Sequence, residues 1–190
     1  MITKNINFKN FKIKKNTKKI KKDFKLLLNE KNELIKSLGP FYKYSYNKKI
    51  IIKLKKQLNV RIIGIGGSIL GAESIYSFLK HKIKKKIKFI DNLNSNTYLL
   101  NKQKKNLNLI ISKSGNTLET ISNSNIFIKK GDKNIFITEN KKSYLLLLAE
   151  ELKSEIIHHN NFIGGRYSVL SEVGMLPAEL MGLNEKKFKQ

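Results

Sequence analysis

Between Val60 and His158 short apolar runs alternate with longer stretches of helical periodicity. Val60–Ile65, Ile87–Ile90, Leu107–Ile111, Asn134–Thr138 and Glu155–His158 are rich in β-branched residues, which predicts five strands. Helical spacing fills the gaps over about Ile69–Lys80, Thr117–Lys130 and Lys142–Lys153. Strands that are apolar without strict alternation are buried on both sides. The fold class expected is therefore α/β, a parallel five-stranded sheet with helices on both faces. Upstream, Ile20, Phe24, Leu27, Leu28, Leu34, Ile35 and Leu38 recur at intervals of three and four. That spacing predicts one amphipathic helix from Thr17 to Leu38, closed by Gly39-Pro40. An aromatic-rich connector, Phe41 to Asn47, leads to a short helical stretch through Leu58. Residues 1–58 thus read as a helical segment and 59–190 as the α/β domain.

Composition narrows the classes of function. At 190 residues and 40% hydrophobic content the chain can bury one core. It contains no apolar run of about 18 residues, the length of a membrane span. The lysine- and asparagine-rich N-terminus has no continuous apolar segment of the secretory type, so a cytoplasmic location is expected. The absence of cysteine removes thiolate ligands and thiol nucleophiles. No histidine spacing suggests a metal site, and neither metal nor cofactor is expected. The net charge of +25 points towards polyanions, but of 39 basic residues only Arg61 and Arg166 are arginine, the better fork for phosphates and base edges. The lysines are dispersed along the chain. Weak, salt-sensitive polyanion binding follows, without specific recognition of nucleic acid.

Three segments could carry chemistry. Ser112-Lys113-Ser114-Gly115-Asn116-Thr117-Leu118-Glu119-Thr120 follows the third predicted strand and opens a helix. The hydroxyls of Ser112, Ser114 and Thr117, the charge of Lys113 and the free N–H groups of a helix start suit a phosphate. Gly64-Ile65-Gly66-Gly67-Ser68-Ile69-Leu70-Gly71 follows the first strand, where Ser68 can cap the helix or donate to an anion. A dinucleotide fingerprint wants glycine at position 69, which is isoleucine, although Asp91 closes the second strand; a plain tight turn is a further reading. The P-loop pattern is absent, which disfavours a nucleoside triphosphatase. In a parallel sheet both turns fall at the carboxyl edge and can converge on one group. Third, Gly164-Gly165-Arg166-Tyr167-Ser168 sets a rare arginine after two glycines, suited either to charge developing on oxygen or to a structural ion pair. Pro177, further on, is read as marking the first turn of a helix. His81 ends a helix among lysines, and His158-His159 closes the fifth strand.

Taken together and in this order, Gly-Ile-Gly-Gly-Ser-x-x-Gly, Ser-Lys-Ser-Gly-x-Thr-x-Glu-Thr and Gly-Gly-Arg-Tyr-Ser resemble the motifs of the glucose-6-phosphate isomerase family. The hydroxyl-rich turn alone is shared by sugar-isomerase (SIS) domains, and the arginine segment narrows the match. The resemblance implies an SIS-type, flavodoxin-like fold and reversible aldose–ketose isomerisation of glucose 6-phosphate and fructose 6-phosphate, a step of glycolysis and gluconeogenesis. It implies a phosphate-binding set of Gly67, Ser68, Ser112, Lys113, Ser114 and Thr117. Arg166 resembles the arginine that steadies the enediolate, while Glu119 matches a position near the site without an assigned role. The family's chains are longer. Their second SIS domain supplies the base glutamate, a ring-opening histidine contributed across a dimer, and a lysine. The expectation is an N-terminal portion lacking that base, partnered as a homodimer or by a second-half fragment. The alternatives are a phosphosugar-binding module that does not catalyse, or a standalone isomerase using His158, His159 or Glu119.

Overall fold

A computed structural model describes residues 17–30, 32–93 and 105–189 of the chain. Five parallel strands form its sheet: β1 (Asn59–Ile63), β2 (Lys86–Ile90), β3 (Leu107–Ile111), β4 (Lys133–Thr138) and β5 (Glu155–His158), in the order β2-β1-β3-β4-β5. Ile63 pairs with Ile90 on one side and Ile110 on the other, and Ile110 pairs with Phe136. Successive side chains on a strand face opposite ways. Ile62, Leu109, Ile135 and Ile137 accordingly join one core, and Ile63, Ile110 and Phe136 join another. The first core is covered by α3 (Lys48–Leu54), α4 (Leu70–Leu79) and α7 (Glu172–Leu180). The second is covered by α5 (Leu118–Phe127) and α6 (Tyr144–Glu151). Each fully buried isoleucine or leucine contributes about 1.5–3 kcal/mol, so the alternation along three central strands supplies much of the fold's stability.

The N-terminal segment departs from expectation. In place of one helix there are two, α1 (Thr17–Asn29) and α2 (Glu33–Leu38). The Asn32 side chain accepts the Leu34 N–H at 2.8 Å and so starts a new helix, which Gly39 closes through its N–H to the Lys36 carbonyl. The apolar stripe of α1 is present, but none of its residues is buried. Pro177 is not in a first turn: it lies inside α7, every residue of which is buried. Having no N–H, it removes one helical hydrogen bond there, and tertiary packing holds the helix together.

Arg61 is structural. Its guanidinium donates to the Phe127 carbonyl at 2.8 Å and lies 3.5 Å from Asp132. Asn108 donates to both Asp132 and Asn134, so the buried charge is met by a polar cluster at the sheet. Burial pulls the arginine's pKa down while Asp132 pulls it back up.

Candidate functional site

The strand order reverses at β1, whose two neighbours are β2 and β3. Crevices form at such reversals, beyond the carboxyl ends of the strands. The segments that follow β1 and β3 are the glycine-rich and hydroxyl-rich turns. They lie side by side: a Cβ on Gly64 would stand 3.0 Å from the Ile111 carbonyl oxygen.

After β3 the chain turns tightly. The Gly115 N–H donates to the Ser112 carbonyl at 3.2 Å, and Gly115 has a φ of 66°. A side chain there would strike Ser143 and Thr138, so only glycine fits. The turn gathers three hydroxyls. Ser112 Oγ and Thr117 Oγ1 are 2.9 Å apart, and Ser114 Oγ lies 3.5 Å from Thr117 Oγ1. Thr117 is the N-cap of α5 yet makes no side-chain cap bond. Its hydroxyl joins the cluster, and the first N–H groups of α5 are left uncapped by it. Glu119 sits half-buried in the first turn. Lys113 is placed differently from its neighbours: its ammonium donates to the Asn161 carbonyl at 2.6 Å and pairs with Glu139 at 3.3 Å.

After β1, Gly66–Ser68 forms a single 3₁₀ turn. Ser68 does not cap α4, whose N-cap is Ile69 with no side-chain cap bond. Gly67 is glycine because the backbone of Gly165 lies against it: a Cβ would stand 2.4 Å from the Gly165 carbonyl carbon. The close approach here is to protein backbone and explains Gly67 without a dinucleotide, while Gly66 has a φ of 55°. The Ser168 hydroxyl faces the carbonyls of Gly165 (2.7 Å) and Gly67 (3.2 Å), pinning the Gly165–Leu170 3₁₀ turn to the first loop. Arg166 extends from this pinned turn, exposed, and among the described residues it forms no ion pair.

His159 is withdrawn from chemistry. Its Nδ1 is 3.0 Å from Glu172 Oε1 and its Nε2 is 3.0 Å from the Ile163 carbonyl, inside the core. Burial pushes the Glu172 pKa up, but hydrogen bonds from His159, its own backbone N–H and Tyr42, with the His159 charge, outweigh it and hold the carboxyl below its ordinary value. Tyr42 donates to Glu172 at 2.9 Å, and Tyr46 donates to Glu179 at 2.7 Å. This network escaped the sequence reading. Its signal was the alternation of Tyr42, Tyr44 and Tyr46 together with acids inside the otherwise apolar stretch 172–180.

The family model for phosphoglucose isomerase matches residues 12–188. The chain belongs to the phosphoglucose isomerase family. A glucose-6-phosphate isomerase of Acholeplasma laidlawii is 36% identical over 163 residues, covering 73% of this chain and 38% of its own length. The chain therefore spans well under half of that relative. Two solved structures share the fold. A hypothetical protein from Thermus thermophilus has a TM-score of 0.65 at 19% identity, covering 88% of this chain and 44% of that one. The Vibrio vulnificus NanR protein complexed with ManNAc-6P has a TM-score of 0.52 at 20% identity, covering 77% of this chain and 53% of that one. The three segments singled out from the sequence fall on the turns after β1 and β3 and on the segment packed against the first of them. Among the described residues no helix is long and apolar enough to cross a membrane, and no acid or histidine group could hold a metal ion.

Proposed function

We propose that this chain carries the phosphate-binding half of a glucose-6-phosphate isomerase site, for aldose–ketose interconversion of glucose 6-phosphate and fructose 6-phosphate. One observation carries the reading: three hydroxyls converge at the uncapped start of a ten-residue helix in the crevice. Ser112, Ser114 and Thr117 would exchange their mutual hydrogen bonds for bonds to phosphate oxygens, which accept them more strongly. The helix N–H groups would add a fixed partial positive charge. Ser68, whose hydroxyl caps no helix, and the backbone of Gly67 would complete the cradle. Arg166, exposed on a turn pinned beside Gly67, would meet the charge developing on the enediolate oxygens.

Proton transfer between C1 and C2 needs a positioned base. His159 is hydrogen-bonded on both ring nitrogens inside the core, which argues against a standalone isomerase built on it. We place the base in the part of the relatives' length that this chain does not span, with Glu119 and His158 the competing candidates within the chain itself. A second reading, a binding module without catalysis, is favoured by one comparison. The Vibrio vulnificus NanR protein, which shares the fold, is itself complexed with ManNAc-6P.

The test is interconversion of the two hexose phosphates by the purified chain, alone and mixed with the remaining portion of the Acholeplasma laidlawii enzyme. A missing acid–base group removes about 10²–10⁴ in rate, so the chain alone should turn over at that deficit or worse. The mixture should recover activity, and Arg166→Lys should lower it again because lysine lacks the planar fork. Full-rate turnover by the chain alone would refute the assignment of the base elsewhere and direct attention to Glu119 and His158.

A further inference from the structure

Lys113 stands between two of the clustered hydroxyl residues, and its charge is already engaged. The ammonium donates to the Asn161 carbonyl at 2.6 Å and lies 3.3 Å from a carboxylate oxygen of Glu139. The backbone reinforces this pairing. The Glu139 N–H donates to the Lys113 carbonyl at 3.1 Å, and the Thr138 hydroxyl donates to the same carbonyl at 3.3 Å. The side chains are only 33% and 21% exposed, so water and salt screen the pair less than they would at an open surface.

We infer that Glu139 sets the anion affinity of this turn, because its carboxylate holds the Lys113 ammonium in an ion pair for which a phosphate monoester must compete. The inference rests on the phosphate reading above and deepens it. A carboxylate so close to the turn acts twice against a dianion: it cancels the lysine charge, and it repels the incoming phosphate directly. Replacing it by glutamine keeps the size of the side chain and the backbone bond to Lys113, and removes only the charge. Glu139 is thus a positioning residue that acts through Lys113.

The test is calorimetric titration of inorganic phosphate and of fructose 6-phosphate into wild type, Glu139→Gln, Lys113→Met and the double variant, with thermal melts of each. At low salt Glu139→Gln should bind both ligands about three- to tenfold more tightly, as expected for a charge at this separation in a partly screened site. The gain should shrink at high salt. Lys113→Met should weaken binding, because it leaves the Glu139 carboxylate unpaired. In the double variant the gain from Glu139→Gln should be smaller, since only the direct repulsion is then removed; a merely structural role would not produce this coupling. Glu139→Asp keeps the charge and should stay close to wild type. Unchanged or weaker affinity in Glu139→Gln, with phosphate binding to wild type measurable, would overturn the inference and leave the phosphate reading standing. An equal gain in Glu139→Asp would also overturn it. Absence of phosphate binding in all of these proteins would contradict the phosphate reading and the inference with it.

Discussion

A Cβ built on Gly67 would lie 2.4 Å from the Gly165 carbonyl carbon, whereas one on Gly165 would approach Gly67 no closer than 3.6 Å. The contact is therefore one-sided. Gly67→Ala should destabilise the fold by about 1–3 kcal/mol, the usual penalty for forcing an extra methyl into packed backbone. Gly165→Ala should stay within about 0.5 kcal/mol. Urea midpoints of the two variants check this, and equal effects would contradict the geometry. The hydroxyl cluster makes a separate claim at this scale. Ser112→Ala with Thr117→Ala should weaken fructose 6-phosphate binding, with each lost bond to a charged group worth about 1.5–3 kcal/mol. Unchanged affinity would put the phosphate elsewhere. The buried Glu172 gives a pH dependence. Its pKa is depressed in the folded chain, so its stabilisation is complete above the ordinary glutamate value of about 4.3 and is lost as pH falls through the lower folded value. Melting temperature should fall on that acid limb, and Glu172→Gln should flatten it. At neutral pH the same variant should destabilise by about 1–3 kcal/mol, because a neutral amide replaces the buried carboxylate that accepts from Tyr42 and lies against His159. A single residue type read in isolation could not announce this network, since Tyr42 and Glu172 meet only after the chain has crossed the whole sheet.

The strands were the most legible elements. β3 and β5 begin and end where the apolar runs do, and β4 and β2 differ from theirs by one residue at the start. The runs are four to six residues long, too short for helices, and rich in β-branched residues, so length and residue type decide them. Helix ends were read less well. α5 stops at Phe127, short of Lys130, because the carbonyls at its end are met by Ile128 and by Arg61 from β1, a partner beyond any sequence window. The single helix expected over residues 17–38 is two, because an asparagine able to cap stands at position 32. α1 supplies the prediction at this scale. Phe24 and Leu28 are 57% and 56% exposed and the helix buries nothing, so Phe24→Ser or Leu28→Gln should leave the melting temperature almost unchanged. A loss comparable to that of Gly67→Ala would mean that the stripe of α1 is covered in solution. Of the candidate site, the turns were legible because glycine and hydroxyl residues follow strand ends. The commitment of Lys113 to Asn161 and Glu139 was not, since it depends on how three loops meet at the sheet edge.

Across the whole molecule the charge of +25 coexists with a crevice proposed for one small anion. Dispersed lysines should give DNA binding that ignores sequence and falls steeply with salt. A footprint that is selective and survives physiological salt would contradict that view. The strand order reverses at β1, and the glycine-rich and hydroxyl-rich turns that follow β1 and β3 lie together at that carboxyl edge. The most direct measurement is a titration of isotope-labelled chain with fructose 6-phosphate, following backbone amide resonances. Saturable shifts are expected at Gly67, Ser68 and residues 112–119, with little change for fructose at the same concentration. Shifts spread over the lysine-rich surface, or centred on α1 and the Tyr42–Tyr46 connector with residues 112–119 unmoved, would contradict it.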